Sequence, residues 1–324
     1  MIPALAFAAI GPALLVMWFV HARDAYPEPP RLVWTTFVLG ALCVFPASIL
    51  NVQVEALARA LGWVNSPWTF AWINAFPGAA IPEELMKFWV LAGYALRRRE
   101  FDEPMDGLVY GVATAMGFAA IENLVYVFHH GLETAVVRGL TAVPFHGSLG
   151  AVMGYFAALA RFRPERRSAF LFRALAIPIM LHGLYDFPLM AADHLPRGSG
   201  LVVGLNLLMF AVASIGLGFS LALIRRFQGL QGIGSETAQP YETLDHHHGP
   251  DSAARRIGPW LRIAFGGVLL WVASLMLAGW LMANLVRAAP SHVQTMPIPF
   301  MIFFGAVLFR SGIRGLNTRE HGEA

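Results

Sequence analysis

The sequence predicts an all-α, polytopic transmembrane helical bundle of about nine spans, and three observations carry that prediction. Apolar residues fill 57% of the 324 positions and charged residues only 13%, leaving more apolar surface than a water-soluble core could hide. The mean hydropathy is +0.57. The apolar residues gather in blocks of about 20, the length a helix needs to cross about 30 Å of hydrocarbon. Basic residues cluster in alternate connecting segments, as the positive-inside rule requires.

The first candidate span runs near residues 3–20. It has no basic n-region, and the following His21-Ala22-Arg23-Asp24-Ala25-Tyr26-Pro27 has no small-x-small cleavage pattern, so it reads as a retained helix rather than a signal peptide. The second lies near 33–50. The third, near 67–96, is too long for one straight span, and Pro77 and Pro82 divide it. A broken or re-entrant first half leading into a helix from about Pro82 to Arg99 follows from the missing proline N–H groups. Further spans are expected near 108–127, 139–160, 169–190, 200–224, 259–286 and 297–313.

The polar stretch from about Arg225 to Gly258, with Gly229, Gly232, Gly234, Ser235, Pro240 and the run His246-His247-His248, reads as a flexible cytoplasmic loop. Adjacent histidines diverge along any regular backbone, so the run fixes no metal cage. The chain divides into N-terminal spans (1–66), a chemically active core (67–190) and C-terminal spans with this loop (191–324).

Charge sets the orientation. With the N-terminus outside and the C-terminus inside, the inner segments hold Arg23, Arg31, Arg97 to Arg99, Arg161, Arg163, Arg166, Arg167, Arg173, Arg225, Arg226, Arg255, Arg256, Arg262, Arg310, Arg314 and Arg319. The outer segments hold only Arg59, Arg138, Arg197 and Arg287. This bias accounts for the net charge of +3 and the pI near 9.3. No basic helix or aromatic-interleaved basic patch remains to bind nucleic acid; the expected surroundings are the lipid bilayer. Cys43 is the single cysteine, which excludes an intrachain disulfide and reads as a packing residue.

An ionisable side chain in a span costs about 2.5–3.5 kcal/mol on insertion scales, yet four consecutive spans carry several. The third has Glu83, Glu84 and Lys87; the fourth Glu122 and Asn123; the fifth His146; the sixth His182 and Asp186. Each of the two histidines and three glutamates lies about 13–15 residues from the cytoplasmic end of its helix. At about 1.5 Å per residue they share one level, about 20–22 Å from that surface. Glu83 and Lys87 are four apart and predict a neutralising pair that leaves Glu84 free. His182 and Asp186 share a face in the same way, so Asp186 could orient the imidazole or join it as a ligand. Gly147, Gly150 and Gly154 allow close helix approach. Asn123 reads as interhelical glue and Lys87 as a counter-ion.

Such a cluster suits amide hydrolysis, which needs an activated water, a stabilised oxyanion and an acid for the leaving amine. A carboxylate can serve as base and then acid. Two histidines and a carboxylate can alternatively hold zinc. The pattern His-Glu-x-x-His is absent, so the metal question stays open. A proton- or cation-coupled transporter using the same groups as a relay is the competing reading.

At these residues the chain resembles the PrsW family of intramembrane proteases, in Glu83-Glu84-x-x-Lys87, Phe118-x-x-x-Glu122-Asn123, His146 and His182-x-x-x-Asp186. It is more distantly similar to the CAAX prenyl protease superfamily. The resemblance covers about residues 80–190. It implies an endopeptidase of a bacterial plasma membrane acting on membrane-anchored proteins such as anti-sigma-factor-like regulators, of metallo- or glutamic type. On that basis Glu84 is the expected base with Glu83 as partner, Glu122, His146 and His182 are ligands or oxyanion and water positioners, and Lys87, Asn123 and Asp186 support them.

Overall fold

The computed structural model describes residues 2–196, 199–237 and Arg310, with side chains from Pro3 to Gly229 outside the gap and at Arg310. All but Arg310 lie in the unit that spans residues 1–246. Every regular element among the described residues is helical: α1 (Ile2–His21), α2 (Pro30–Leu42), α3 (Val44–Ala60), α4 (Pro67–Ile73), a π-helical turn (Asn74–Ala80), α5 (Ile81–Gly93), α6 (Pro104–His130), α7 (Leu132–Leu140), α8 (Ala142–Phe162), α9 (Arg167–Ala192) and α10 (Gly200–Thr237). Six stretches among the described residues are long and apolar enough to cross a membrane: Pro3–His21, Pro30–Ala60, Pro104–His130, Leu132–Phe162, Pro164–Ala192 and Gly200–Gly229. The expected third span is not among them, because it is broken and charged. The expected eighth and ninth spans and the run His246-His247-His248 lie outside the described residues.

The break in the third span follows its prolines. Ser66 caps α4, its hydroxyl accepting from the Thr69 N–H at 3.2 Å, with Pro67 at the first helical position. Pro77 cannot donate to the ladder, and the chain widens into the π-turn before Pro82 restarts an α-helix. Glu83 and Glu84 therefore sit in the first turn of α5. That helix ends at Gly93, followed by a 3₁₀ turn at Ala95–Arg97, somewhat short of the expected end near Arg99.

α6 and α8 form the centre of the bundle and make its most extensive contact; α1 and α2 cover α6, α9 packs on α8, and α10 lies against α8 and α9. Across the central pair Gly107 and Gly111 meet Gly154 and Gly150 backbone to backbone, and a Cβ on any of the four would overlap the facing helix. Gly147 instead faces the Val16 side chain of α1, so only two of the three glycines expected to admit a neighbouring backbone do so. Large apolar residues such as Phe7, Leu15, Trp18, Trp72, Leu140 and Phe172 stand on the outside of the bundle, where lipid is their solvent.

α10 continues past the expected span end at 224 to Thr237, so the first part of the expected loop is helical. Leu223, Ile224 and Phe227 keep one buried helical face, Phe227 stacks on Tyr155 at 4.8 Å, and Gln228 Nε2 donates to the Arg23 carbonyl at 3.1 Å. The two arginines at 225 and 226 punctuate hydropathy without ending the helix.

A polar latch ties the α1–α2 connection to α6. The Tyr110 hydroxyl donates to buried Glu28 Oε2 at 2.5 Å, and Asp106 Oδ2 caps α6 by accepting the Asp102 and Glu103 N–H groups, both at 2.8 Å. Burial raises the Glu28 carboxyl above its ordinary value of 4.5, opposed by hydrogen bonds with Asp106 and Tyr110. A raised folded-state pKa means that this contribution to stability is fully present below about pH 4.5 and is lost as pH rises through the folded value. Glu28→Gln keeps an acceptor for Tyr110 without the charge. It is expected to melt higher than wild type at pH 8 in micelles and to show a flatter pH dependence; equal slopes for the two proteins would contradict this account of the latch.

Candidate active site

The π-turn and Pro82 aim the first turn of α5 into the bundle, where it meets α6, α8 and α9. Lys87 is the hub. Its ammonium has three donors and finds three partners: Glu84 Oε1 at 2.8 Å, Glu83 Oε2 at 3.3 Å and His146 Nδ1 at 3.1 Å. It also lies 4.2 Å from the centre of the Phe118 ring, a cation–π contact. The expected exclusive Glu83–Lys87 pair is thus corrected. Glu84 lies one residue nearer along the helix, at i,i+3, and takes the shorter bond, while Glu83 keeps the longer one.

His182 is held between carboxylates from two helices. Its Nδ1 lies 2.8 Å from Glu84 Oε1, and its Nε2 lies 3.2 Å from Asp186 Oδ2 and 3.8 Å from Glu83 Oε2. Asp186 meets His182 across one helical turn, as the i,i+4 spacing predicts. His146 is fixed from both sides. Since an ammonium only donates, Nδ1 of His146 must accept, and the ring proton sits on Nε2. That nitrogen stands 2.9 Å from Glu122 Oε2, at ion-pair distance though off the line of a hydrogen bond. The two imidazoles meet edge to face, 5.2 Å apart.

All five expected catalytic side chains, with Lys87 and Asp186, therefore form one connected cluster from four helices. Asn123 turns away from it, donating through Nδ2 to the Ala9 carbonyl of α1 at 2.7 Å, which suits interhelical glue. One participant escaped the sequence reading. Arg138, counted there as an outer-segment charge, sits on α7 with Nη2 2.9 Å from Glu122 Oε1 and Nε 3.1 Å from Asn123 Oδ1. Its only sequence signal was a lone cation in a short segment between two spans, and no periodicity links α7 to α6.

Accessibility orders the cluster. Glu84, Lys87, His146 and His182 are sealed, at 0–4% exposure, whereas the side chains of Glu83, Glu122, Asp186 and Arg138 remain 16–19% exposed. These four mark the more open side of the cluster.

One ligand atom from each of Glu83, Glu84, His146 and His182 lies within 4.8 Å of the others, and Glu84 Oε2 is buried without a hydrogen-bond partner. Two imidazoles and two carboxylates are a suitable donor set for zinc. Glu122, expected as a ligand with the two histidines, is not one of these four; one of its oxygens lies 2.9 Å from Arg138 Nη2 and the other 2.9 Å from His146 Nε2. Lys87 already bonds three of the four donors, so a divalent ion would have to displace its ammonium.

The family model described as PrsW family intramembrane metalloprotease matches residues 28–217. Protease PrsW of Geobacillus kaustophilus is 35% identical over 187 residues, covering 57% of this chain and 80% of the relative. Protease PrsW of Bacillus subtilis is 33% identical over 193 residues, covering 59% and 85%, and that of Clostridioides difficile is 31% identical over 189 residues, covering 56% and 77%. No solved structure gives a significant match. Apolar spanning helices and bacterial relatives make this an integral protein of a bacterial membrane. The chain belongs to the PrsW family of intramembrane peptidases.

Proposed function

We propose that the chain is an intramembrane endopeptidase that hydrolyses membrane-anchored proteins, anti-sigma-factor-like regulators among them, with a water activated by Glu83. The observation that carries this reading is the convergence of Glu83, Glu84, Lys87, Glu122, His146, His182 and Asp186 from α5, α6, α8 and α9 into one bonded cluster. The core that performs it is residues 67–190, and the Lys/Arg asymmetry supports an N-terminus outside.

The roles follow from access and bonding. Glu83 faces the open side and has only its Oε2 engaged with Lys87, so it is the carboxylate a water can reach. Glu84, sealed between Lys87 and His182, anchors them; this exchanges the roles expected from sequence. Glu83 takes the water proton, the hydroxide adds to the scissile carbonyl carbon, and the same carboxyl returns the proton to the departing amine nitrogen. We assign the N–H groups of His182 and His146 to the oxyanion, and Asp186 keeps His182 in orientation. If zinc is bound, Glu83, Glu84, His146 and His182 would hold it, and it would supply Lewis-acid polarisation of water and carbonyl.

The test uses purified wild type, Glu83→Gln and His182→Ala in micelles with tagged single-span peptides, with and without a zinc chelator. Loss of about 10²–10⁴-fold in Glu83→Gln is expected, with unchanged melting, and chelator-resistant cleavage in wild type. Chelator-sensitive cleavage would favour the zinc form. Undiminished cleavage by Glu83→Gln would sink the proposed base, and pH-driven ion flux in vesicles without any cleavage would favour the transporter.

A further inference from the structure

We propose that Arg138 of α7 is a positioning residue of the active site, one that fixes Glu122 and, through it, the orientation of the His146 ring; this rests on the peptidase reading above. Three contacts set the guanidinium. Nη2 lies 2.9 Å from Glu122 Oε1, Nε donates to Asn123 Oδ1 at 3.1 Å, and the carbon of the guanidinium stands 3.9 Å from the centre of the Tyr126 ring. Asn123 cannot rotate away, because its amide nitrogen is committed to the Ala9 carbonyl at 2.7 Å. Its oxygen therefore points at Arg138, and the planar fork engages two neighbouring residues of α6 at once.

This geometry decides what Glu122 does. One oxygen belongs to Arg138, and the other stands 2.9 Å from His146 Nε2. Lys87 donates to the opposite ring nitrogen. His146 is thus held at both edges: Lys87 sets its proton on Nε2, and Arg138, through Glu122, sets what that nitrogen faces. A bare Glu122 beside Lys87 and His146 would be free to swing toward either side chain. The position of α7 serves this contact: Gly139 abuts Pro12 of α1, where a Cβ would approach Pro12 Cγ to 3.0 Å, so α7 is docked rather than dangling. Outer-segment arginines normally extend to the headgroups; this one is only 18% exposed and turned inward.

The experiment compares Arg138→Ala, Arg138→Lys, Glu122→Gln and the Arg138→Ala/Glu122→Gln double variant in the peptide assay. The expected result for Arg138→Ala is a kcat about 10–100-fold lower, the usual effect of losing an orienting partner, with KM unchanged. Arg138→Lys, which retains the charge but not the fork, should recover most of that loss. The double variant should be no slower than Glu122→Gln, since Arg138 acts through that carboxylate. Additive losses, or a wild-type kcat in Arg138→Ala, would overturn the proposal. A readout independent of activity is the ¹⁵N spectrum of histidine-labelled, chelator-treated protein, with His146 assigned by its disappearance in His146→Asn. All variants should keep the Nε2–H tautomer that Lys87 imposes, but Arg138→Ala should move the His146 Nε2 resonance as Glu122 leaves that nitrogen, whereas Arg138→Lys should match wild type; an unchanged His146 signal in Arg138→Ala would overturn the proposal. That spectrum still judges Arg138 if no peptide is cleaved by wild type, an outcome that counts against the peptidase reading instead.

Discussion

Gly154→Leu is expected to abolish cleavage although it lies two helical turns from His146 and touches no catalytic group. A side chain at 154 would enter the Gly107 carbonyl, and the facing pair Gly111–Gly150 offers no slack one turn away. Helices crossing through glycines approach more closely than the usual 8–10 Å between axes, so a leucine forces α6 and α8 apart. Overpacking of a core costs about 1–3 kcal/mol even where side chains can yield, and here the obstacle is backbone. Because Glu122 rides on α6 and His146 on α8, their 2.9 Å contact opens as the helices separate. Thermal melting in micelles and the cleavage assay check this together. Gly204→Leu is the control: nothing lies within 4 Å of that position on α10, and it should match wild type in both. Wild-type melting and activity in Gly154→Leu would show that the central crossing is looser than described.

The second large effect is expected at Lys87. Replacing it by methionine leaves Glu83, Glu84 and His146 Nδ1 without their shared donor, the last two sealed from water. Removing one partner of a buried ion pair typically costs about 3–5 kcal/mol, and Lys87 here serves two carboxylates. The melting transition should fall accordingly. Zinc then discriminates. A ligand that binds the folded state stabilises it in proportion to its affinity, and the four donors of the cluster become available only when the ammonium is gone. Added zinc should therefore raise the melting transition of Lys87→Met and leave wild type nearly unmoved. Equal zinc stabilisation of both proteins would mean that Lys87 readily leaves its three partners and that the metal form is the resident one.

The legible part of the fold was the part governed by simple periodic rules. The positions of six spans, the break at Pro77 and Pro82, and the convergence of Glu83, Glu84, Glu122, His146 and His182 follow from hydropathy, missing N–H groups and a rise of about 1.5 Å per residue. His182 and Asp186 met because i,i+4 residues share a face. What stayed hidden depends on rotation between helices rather than position along them. Depth gives no azimuth, so the sequence could not tell that Lys87 would divide its bonds between Glu83 and Glu84, or that Glu83 would face the open side. Arg138 was illegible for the same reason: it reaches Glu122 through the fold-back of α7, and charge counting assigns such a residue to the outer loop. The continuation of α10 past Arg225 was missed because span lengths were read from hydropathy, while the helix persists through the Phe227–Tyr155 stack and the Gln228 bond.

The most direct test of the central claim is to co-express wild type and Glu83→Gln with a panel of tagged single-span membrane proteins and to determine the fragment termini by mass spectrometry. The account predicts fragments that depend on Glu83 and whose new ends fall inside the substrate's apolar span, at the depth of the Glu–His–Lys cluster. Fragments that persist in Glu83→Gln, or new ends confined to water-exposed loops, would contradict it.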